Sequence, residues 1–191
     1  MPLPLADWLI RIQQQHPQAI AMGLERVRAV AQAMGLAPKP APVVITVGGT
    51  NGKGSTVAFL DAIAREAGLR VGTYTSPHLW RFNERIRIDG VEASDEAIVA
   101  AFERIDAARG DTPITYFEYA TLAAFDLFER AGLDLAILEV GLGGRLDATN
   151  LVDADVAVMT TVDLDHMDYL GPDRESIGAE KAGILRAGKI A

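Results

Sequence analysis

A β-branched run, Val43-Val44-Ile45-Thr46-Val47, opens directly onto Gly48-Gly49-Thr50-Asn51-Gly52-Lys53-Gly54-Ser55-Thr56. Beyond it Val57, Leu60, Ile63, Ala64 and Ala67 recur at helical spacing, and Gly68 is placed to end that helix. Strand, glycine loop, helix is the order in which backbone N–H groups and a helix N-terminus can cradle phosphate. Lys53 would add a mobile cation for the β- and γ-phosphates. The loop departs from the strict G-x-x-x-x-G-K-[ST] pattern twice: Val47 stands at the first glycine, and Gly54 follows the lysine where Ser or Thr is required. Spacing alone makes it an imperfect phosphate loop; a plain strand-to-helix turn is the bland alternative, and the strand before it and helix after it favour phosphate binding.

The rest of the chain alternates in the same way. Helices are expected from Leu5 through Ile12, stopped at His16-Pro17, and over 24–34, stopped at Gly35. A proline-rich joint at 37–42 leads into the first strand. A strand over 71–75 would complete a βαβ unit. A strand and turn follow over 84–90, then a helix capped by Ser94 with Ile98, Phe102 and Ile105 on its apolar face. A helix over 117–131, strands over 135–140 and 156–162, and a helix over 175–184 close the reading. The expected fold is α/β, a mainly parallel sheet flanked by helices.

Composition narrows the function. A net charge of −8 over 191 residues argues against nucleic acid as a general partner, though not against a small anion in a local electropositive loop. With no cysteine, disulfides, thiolate zinc sites and cysteine nucleophiles are excluded. The first eight residues lack a basic segment ahead of an apolar core, and no apolar run approaches the roughly 20 residues that span a bilayer. The expectation is a cytoplasmic protein without a membrane partner.

Three polar residues fall at the expected carboxyl ends of strands: Ser76, Glu139 and His166. Ligands of open α/β sheets bind at that edge, so a hydroxyl, a carboxylate and an imidazole there could hold a divalent ion beside nucleotide phosphates. Taken singly, each is equally a turn residue, a solvated strand end or a helix cap. The second glycine stretch, 141–150, lacks the G-x-G-x-x-G of a dinucleotide site and reads as a loop passing close to a ligand. By its spacing Lys181 is an ordinary exposed helical lysine.

Taken together these segments resemble one family. Gly-Leu-Glu-Arg-Val at 23–27, the loop at 49–55, Thr75-Ser76-Pro77-His78-Leu79 and Thr115-Tyr116-Phe117-Glu118 all match, in order, the N-terminal part of folylpolyglutamate synthases of the bifunctional dihydrofolate synthase type. So do residues 139–150, Leu164-Asp165-His166 and Glu180-Lys181-Ala182-Gly183. These enzymes are Mur-ligase-like ATP-dependent amide ligases, and their loop carries glycine after its lysine. The resemblance implies a P-loop type Mur-ligase-like ATP-binding domain. It implies ATP on Thr50, Asn51, Gly52, Lys53, Gly54 and Ser55, and magnesium on Ser76, Glu139 and His166. A pterin pocket would be lined by Thr115, Tyr116, Phe117, Glu118, Leu146, Asp147 and Ala148. Lys53, Glu139, His166 and Lys181 would carry the chemistry, Lys181 matching a lysine that the family carbamylates. Ala21 departs from the family, which often has an acidic residue there.

The activity so implied joins the carboxylate of dihydropteroate, or of a tetrahydrofolate glutamate tail, to L-glutamate through an acyl phosphate. Family members are about twice this length. The 191 residues are therefore expected to be an incomplete N-terminal domain, with a C-terminal glutamate-binding domain outside them. They should be inactive alone and part of a monomer when whole. A Mur-type cell-wall ligase and a non-catalytic nucleotide-binding module remain the alternatives.

Overall fold

The computed structural model describes residues 3–16, 18 and 20–191. The expected helix stop at Pro17 and the first two residues of the N-terminal segment lie outside them. In chain order the elements are α1 (Leu5–Gln15), α2 (Glu25–Met34), β1 (Val43–Gly48), α3 (Lys53–Glu66), β2 (Val71–Tyr74), β3 (Ile86–Ile88) and β4 (Val91–Glu92). Then follow α4 (Asp95–Arg109), α5 (Tyr116–Ala131), β5 (Leu135–Glu139), β6 (Val156–Met159), α6 (Met167–Leu170) and α7 (Arg174–Ala182).

The strands form one sheet in the order β4-β3-β2-β5-β1-β6. β2, β5, β1 and β6 run parallel, while β3 and β4 add an antiparallel edge. The fold is thus the expected α/β sheet, with one refinement. β1 and β2 are joined through α3 but are not neighbours, because β5 lies between them and pairs with both. β5 earns the centre by composition: Leu-Ala-Ile-Leu-Glu is buried at every position.

Alternation along the strands sorts the core. Leu135 and Ile137 pack with Val47 and Val57 under α3. Ala136, Leu138, Val44 and Tyr74 face the other way, into a larger core with α1, α2, α4 and α5. Four expected strands are shorter than read, two of them by a single residue and two by more. Residues 82–85 form a 3₁₀ turn, because the Glu84 carboxylate accepts the N–H groups of Leu79, Trp80 and Arg81, each at 2.8 Å. Those bonds hold its pKa down to about 2. β6 stops at Met159, because Thr160 and Thr161 turn their hydroxyls onto the glycine loop.

Parallel strands place their carboxyl ends on one edge. The loops after β1, β2, β5 and β6 gather there, and so do the residues picked out from the sequence.

Candidate active site

The loop at 48–52 needs backbone that side-chain-bearing residues resist. Gly49 has φ +144° and Gly52 φ +85°. Gly52 starts α3 without a side-chain cap, and no acidic residue occupies the first turn. Thr56 N–H closes the first turn on Gly52 O at 3.0 Å. The N–H groups of Lys53, Gly54 and Ser55 therefore project from the helix end with the positive pole of its dipole behind them. Ser55 is exposed there.

The loop is braced from the residues just beyond β6, which the sequence reading missed. Asn51 N–H donates to Thr161 Oγ1 (2.9 Å), and Thr160 Oγ1 donates to Asn51 O (2.7 Å). Thr50 N–H donates to Thr161 O (2.8 Å), and its hydroxyl bonds the backbone of Asp163. Thr50 and Asn51 thus hold the loop's shape, and Lys53 carries its mobile charge. The Lys53 ammonium rests on the carbonyls of Gly49 (2.9 Å) and Thr50 (3.3 Å), with no carboxylate in ion-pair range among the described residues.

Lys181 corrects the reading from spacing alone. It is 3% exposed, and its Nζ donates to Gly49 O at 3.2 Å, the carbonyl that Lys53 also uses. α7 is drawn in because Gly144 and Gly183 allow backbone contact. A Cβ on Gly144 would lie 2.7 Å from Lys181 O, and one on Gly183 2.3 Å from Arg145 Cβ. Burial, then the charge of Lys53, pushes the Lys181 pKa down.

Ser76 and Glu139 meet: Ser76 N–H donates to Glu139 Oε2 at 3.1 Å. Burial raises the Glu139 pKa, against the pull of that bond, Lys53 and Arg85. Gly54 brings the start of α3 against this carboxylate, its Cβ direction 3.9 Å from both oxygens. His166 stands at the head of α6 with φ +45°, half-exposed, its Nε2 3.6 Å from Asp165. Ser76 and His166 line one cavity, whereas Glu139 faces the neighbouring one, of about 530 Å³, which Ser76 also borders. Among the described residues no three His, Asp or Glu side chains form a cluster able to hold a metal alone. One buried carboxylate with Ser76 bonded to it does fit a hard, oxygen-preferring cation such as magnesium.

The cavity shared by Ser76 and His166 measures about 380 Å³ and is also lined by Lys53, Arg85, Phe117, Leu146 and Asp147. Thr115, Glu118, Ala148 and residues 20–23 also line it. Phe117 lies on Gly141, where any Cβ would come within 2.5 Å of the ring. Thr115 caps α5, and Glu118 returns the bond, its Oε2 accepting Thr115 N–H at 2.7 Å and Arg26 Nε at 3.0 Å. Glu118 Oε1 lies 3.0 Å from Arg26 Nη2 but outside hydrogen-bond geometry, so it is buried and unsatisfied. Asp147 is spent on its own loop, accepting from the N–H groups of Gly141, Leu142 and Thr149 and from the Thr149 hydroxyl. Tyr116 does not reach the cavity. It packs behind it, edge-on to Phe82 at 5.8 Å.

The glycine loop, a lysine buried against it and the cavity lined by Lys53 and Phe117 thus share one sheet edge. The chain belongs to the Mur ligase middle domain family, which it matches over residues 47–190. It is 58% identical over 188 residues to the dihydrofolate synthase/folylpolyglutamate synthase of Escherichia coli (strain K12), covering 98% of this chain and 44% of that protein. A structure of E. coli FolC in complex with DHPP and ADP superposes with a TM-score of 0.96 at 58% identity, over 98% of this chain and 45% of the other. A bifunctional folylpolyglutamate synthase/dihydrofolate synthase with Mn, AMPPNP and L-glutamate bound superposes with a TM-score of 0.91 at 57% identity, over 98% and 45%. The chain thus spans under half the length of these relatives. No described helix is long and apolar enough to cross a membrane.

Proposed function

We propose that these residues are the nucleotide- and pterin-binding part of an ATP-dependent ligase. The ligase joins a pterin-linked carboxylate to L-glutamate, giving dihydrofolate and folylpolyglutamates with ADP and phosphate. The observation that carries this is the continuous cavity from Lys53 to Phe117. One cavity wall carries Lys53 of the glycine loop together with Phe117, Leu146 and Ala148. Relatives named for this activity, and solved in complex with ADP and DHPP, support the reading.

In this scheme Gly52, Lys53, Gly54 and Ser55 hold the ATP phosphates, Thr50 and Asn51 keep the loop in shape, and Lys53 offsets charge on the transferring group. Ser76 and Glu139, with His166 on the facing wall, would hold magnesium. A magnesium ion held there would supply positive charge beside the nucleotide phosphates. Phe117, Leu146 and Ala148 would sandwich the pterin, with Thr115 and Glu118 supplying polar contacts. Asp147 shapes the loop that closes over it, and Tyr116 supports Phe82 behind the wall. Catalysis is then mainly positioning. Glutamate contacts would come from the part of the relatives' length that these residues do not span, so we expect the 191 residues to bind both ligands and to turn over little.

Calorimetry tests this directly. The chain should bind Mg·AMPPNP and dihydropteroate, each without the other, and should ignore UDP-linked amino acids. Tight binding of a UDP-linked substrate without dihydropteroate binding would move the assignment to the cell-wall ligases. Glutamate- and dihydropteroate-dependent ADP release at the rate of a complete ligase would refute the division of labour.

Lys181 is proposed as a carbamylation site. Its lowered pKa leaves more of the amine neutral, and the neutral amine is the form that adds to carbon dioxide, forming an N–C bond and releasing a proton. In ¹³C-bicarbonate, a carbamate resonance should appear in the wild-type chain and be absent from Lys181→Met. A resonance surviving in that variant would assign it elsewhere.

A further inference from the structure

Arg85 is a buried cation without a counter-ion. It is 8% exposed, and no carboxylate lies within ion-pair reach of it among the described residues. Its Nε donates to His78 Nδ1 at 2.8 Å. Its guanidinium carbon sits 5.7 Å from the Phe82 ring centre and 5.6 Å from that of Tyr116. The buried Tyr74 hydroxyl is beside it, and the charge of Arg85 pulls that phenol's pKa down against the larger upward push of burial. Burying an unpaired guanidinium costs stability, so its persistence asks what it meets.

Its position answers. Arg85 lines the 380 Å³ cavity together with Lys53 of the glycine loop and the aromatic Phe117. Among the described residues, Lys53 and Arg85 are the Lys or Arg side chains on that wall. Lys53 belongs to the phosphates, and Glu139, beyond Ser76, would repel a second carboxylate. An acid bound between slot and phosphate loop therefore has Arg85 alone to pair with. The two rings and His78 hold the planar guanidinium still, which suits a paired approach to a carboxylate.

Resting on the pterin reading above, we infer that Arg85 grips the substrate carboxylate and aims it at the γ-phosphate. One carboxylate oxygen forms the new bond to the γ-phosphorus, while the bond to the β–γ bridging oxygen breaks and its electrons leave with ADP. Arg85 exchanges no proton. It offsets the repulsion between two anions and keeps contact with the acyl group as phosphate is added.

The test pairs a ligand change with a residue change. Dihydropteroate and its neutral carboxamide are titrated into the wild-type chain and into Arg85→Gln, each variant checked by thermal melting. Wild type should prefer the acid on the order of tenfold to a hundredfold. Arg85→Gln should lose that preference while binding the carboxamide about as wild type does. Should the Gln variant fail to fold, Arg85→Lys gives the same ratio, expected to lie between the two. Equal wild-type affinity for acid and carboxamide overturns the inference and leaves the pterin pocket standing, as does a preference that survives in the variants. If wild type binds Mg·AMPPNP but neither pterin, the pocket reading fails and the inference with it.

Discussion

Lys53→Met is expected to weaken binding of Mg·AMPPNP by on the order of a hundredfold, the size of one charge-assisted hydrogen bond to phosphate removed from a partly desolvated site. The folded chain should scarcely notice. Lys53 makes no ion pair among the described residues, and its bonds to Gly49 O and Thr50 O are replaceable by water. Its charge also stands against that of Lys181, depressing the Lys181 pKa after burial has done so. Removing it relieves that repulsion, so the melting temperature should hold or rise slightly. The Lys181 pKa should climb, leaving less neutral amine and a weaker carbamate signal at the same pH. Calorimetry, melting and ¹³C spectra on one variant thus give three results with opposed signs. An affinity within about threefold of wild type would remove Lys53 from the phosphate site.

The sheet and most helices were legible because local signals agreed. β-branched runs marked β1 and β6, Ser94 capped α4 as its spacing required, and Gly35 and Gly132 ended α2 and α5 in left-handed conformations. Strand order was not legible. Nothing in residues 71–75 says that β5, some sixty residues later, will come between β2 and β1. That is settled by which strand is apolar on both faces. The phosphate loop was visible in its glycines, but its braces were not. Thr160 and Thr161 read as β-branched strand residues, and only tertiary contact turns their hydroxyls onto Asn51. Lys181 was misjudged from spacing for the same reason. A helix face is buried or exposed by what packs on it, and Gly144 and Gly183, which permit that packing, are silent in a periodicity count. The resemblance to folate ligases singled Lys181 out where periodicity could not. Arg85 escaped both, since one arginine in Asn-Glu-Arg-Ile-Arg looks like strand-edge charge until the cavity is seen beside it.

Gly49→Ala should damage this chain more than any other single methyl group added to the loop. Gly49 holds φ +144°, and its Cβ would stand 1.9 Å from Thr160 Oγ1 and 3.1 Å from Thr161 N. Thr160 cannot simply rotate away, because its hydroxyl bonds Asn51 O and Gly48 O. Strained backbone and an overfilled contact each cost about 1–3 kcal/mol, so the loss should be roughly 2–5 kcal/mol. At about 2–4 °C per kcal/mol for a chain of this size, melting should fall by roughly 5–15 °C. Gly52→Ala is the matched control. Its φ of +85° is also left-handed, but nothing lies within 4 Å of its Cβ. Only the backbone strain remains, about 1–2 kcal/mol. The two variants also separate stability from function. Gly49 O anchors both Lys53 and Lys181, so a shifted Gly49 peptide disorders both ammonium groups, and nucleotide affinity should fall in any fraction that still folds. If Gly49→Ala melts no lower than Gly52→Ala, the close packing of β6 against the loop does not set its shape. The bracing by Thr160 would then have to be abandoned as the reason this loop, lacking the first glycine of the strict pattern, keeps a phosphate-binding form.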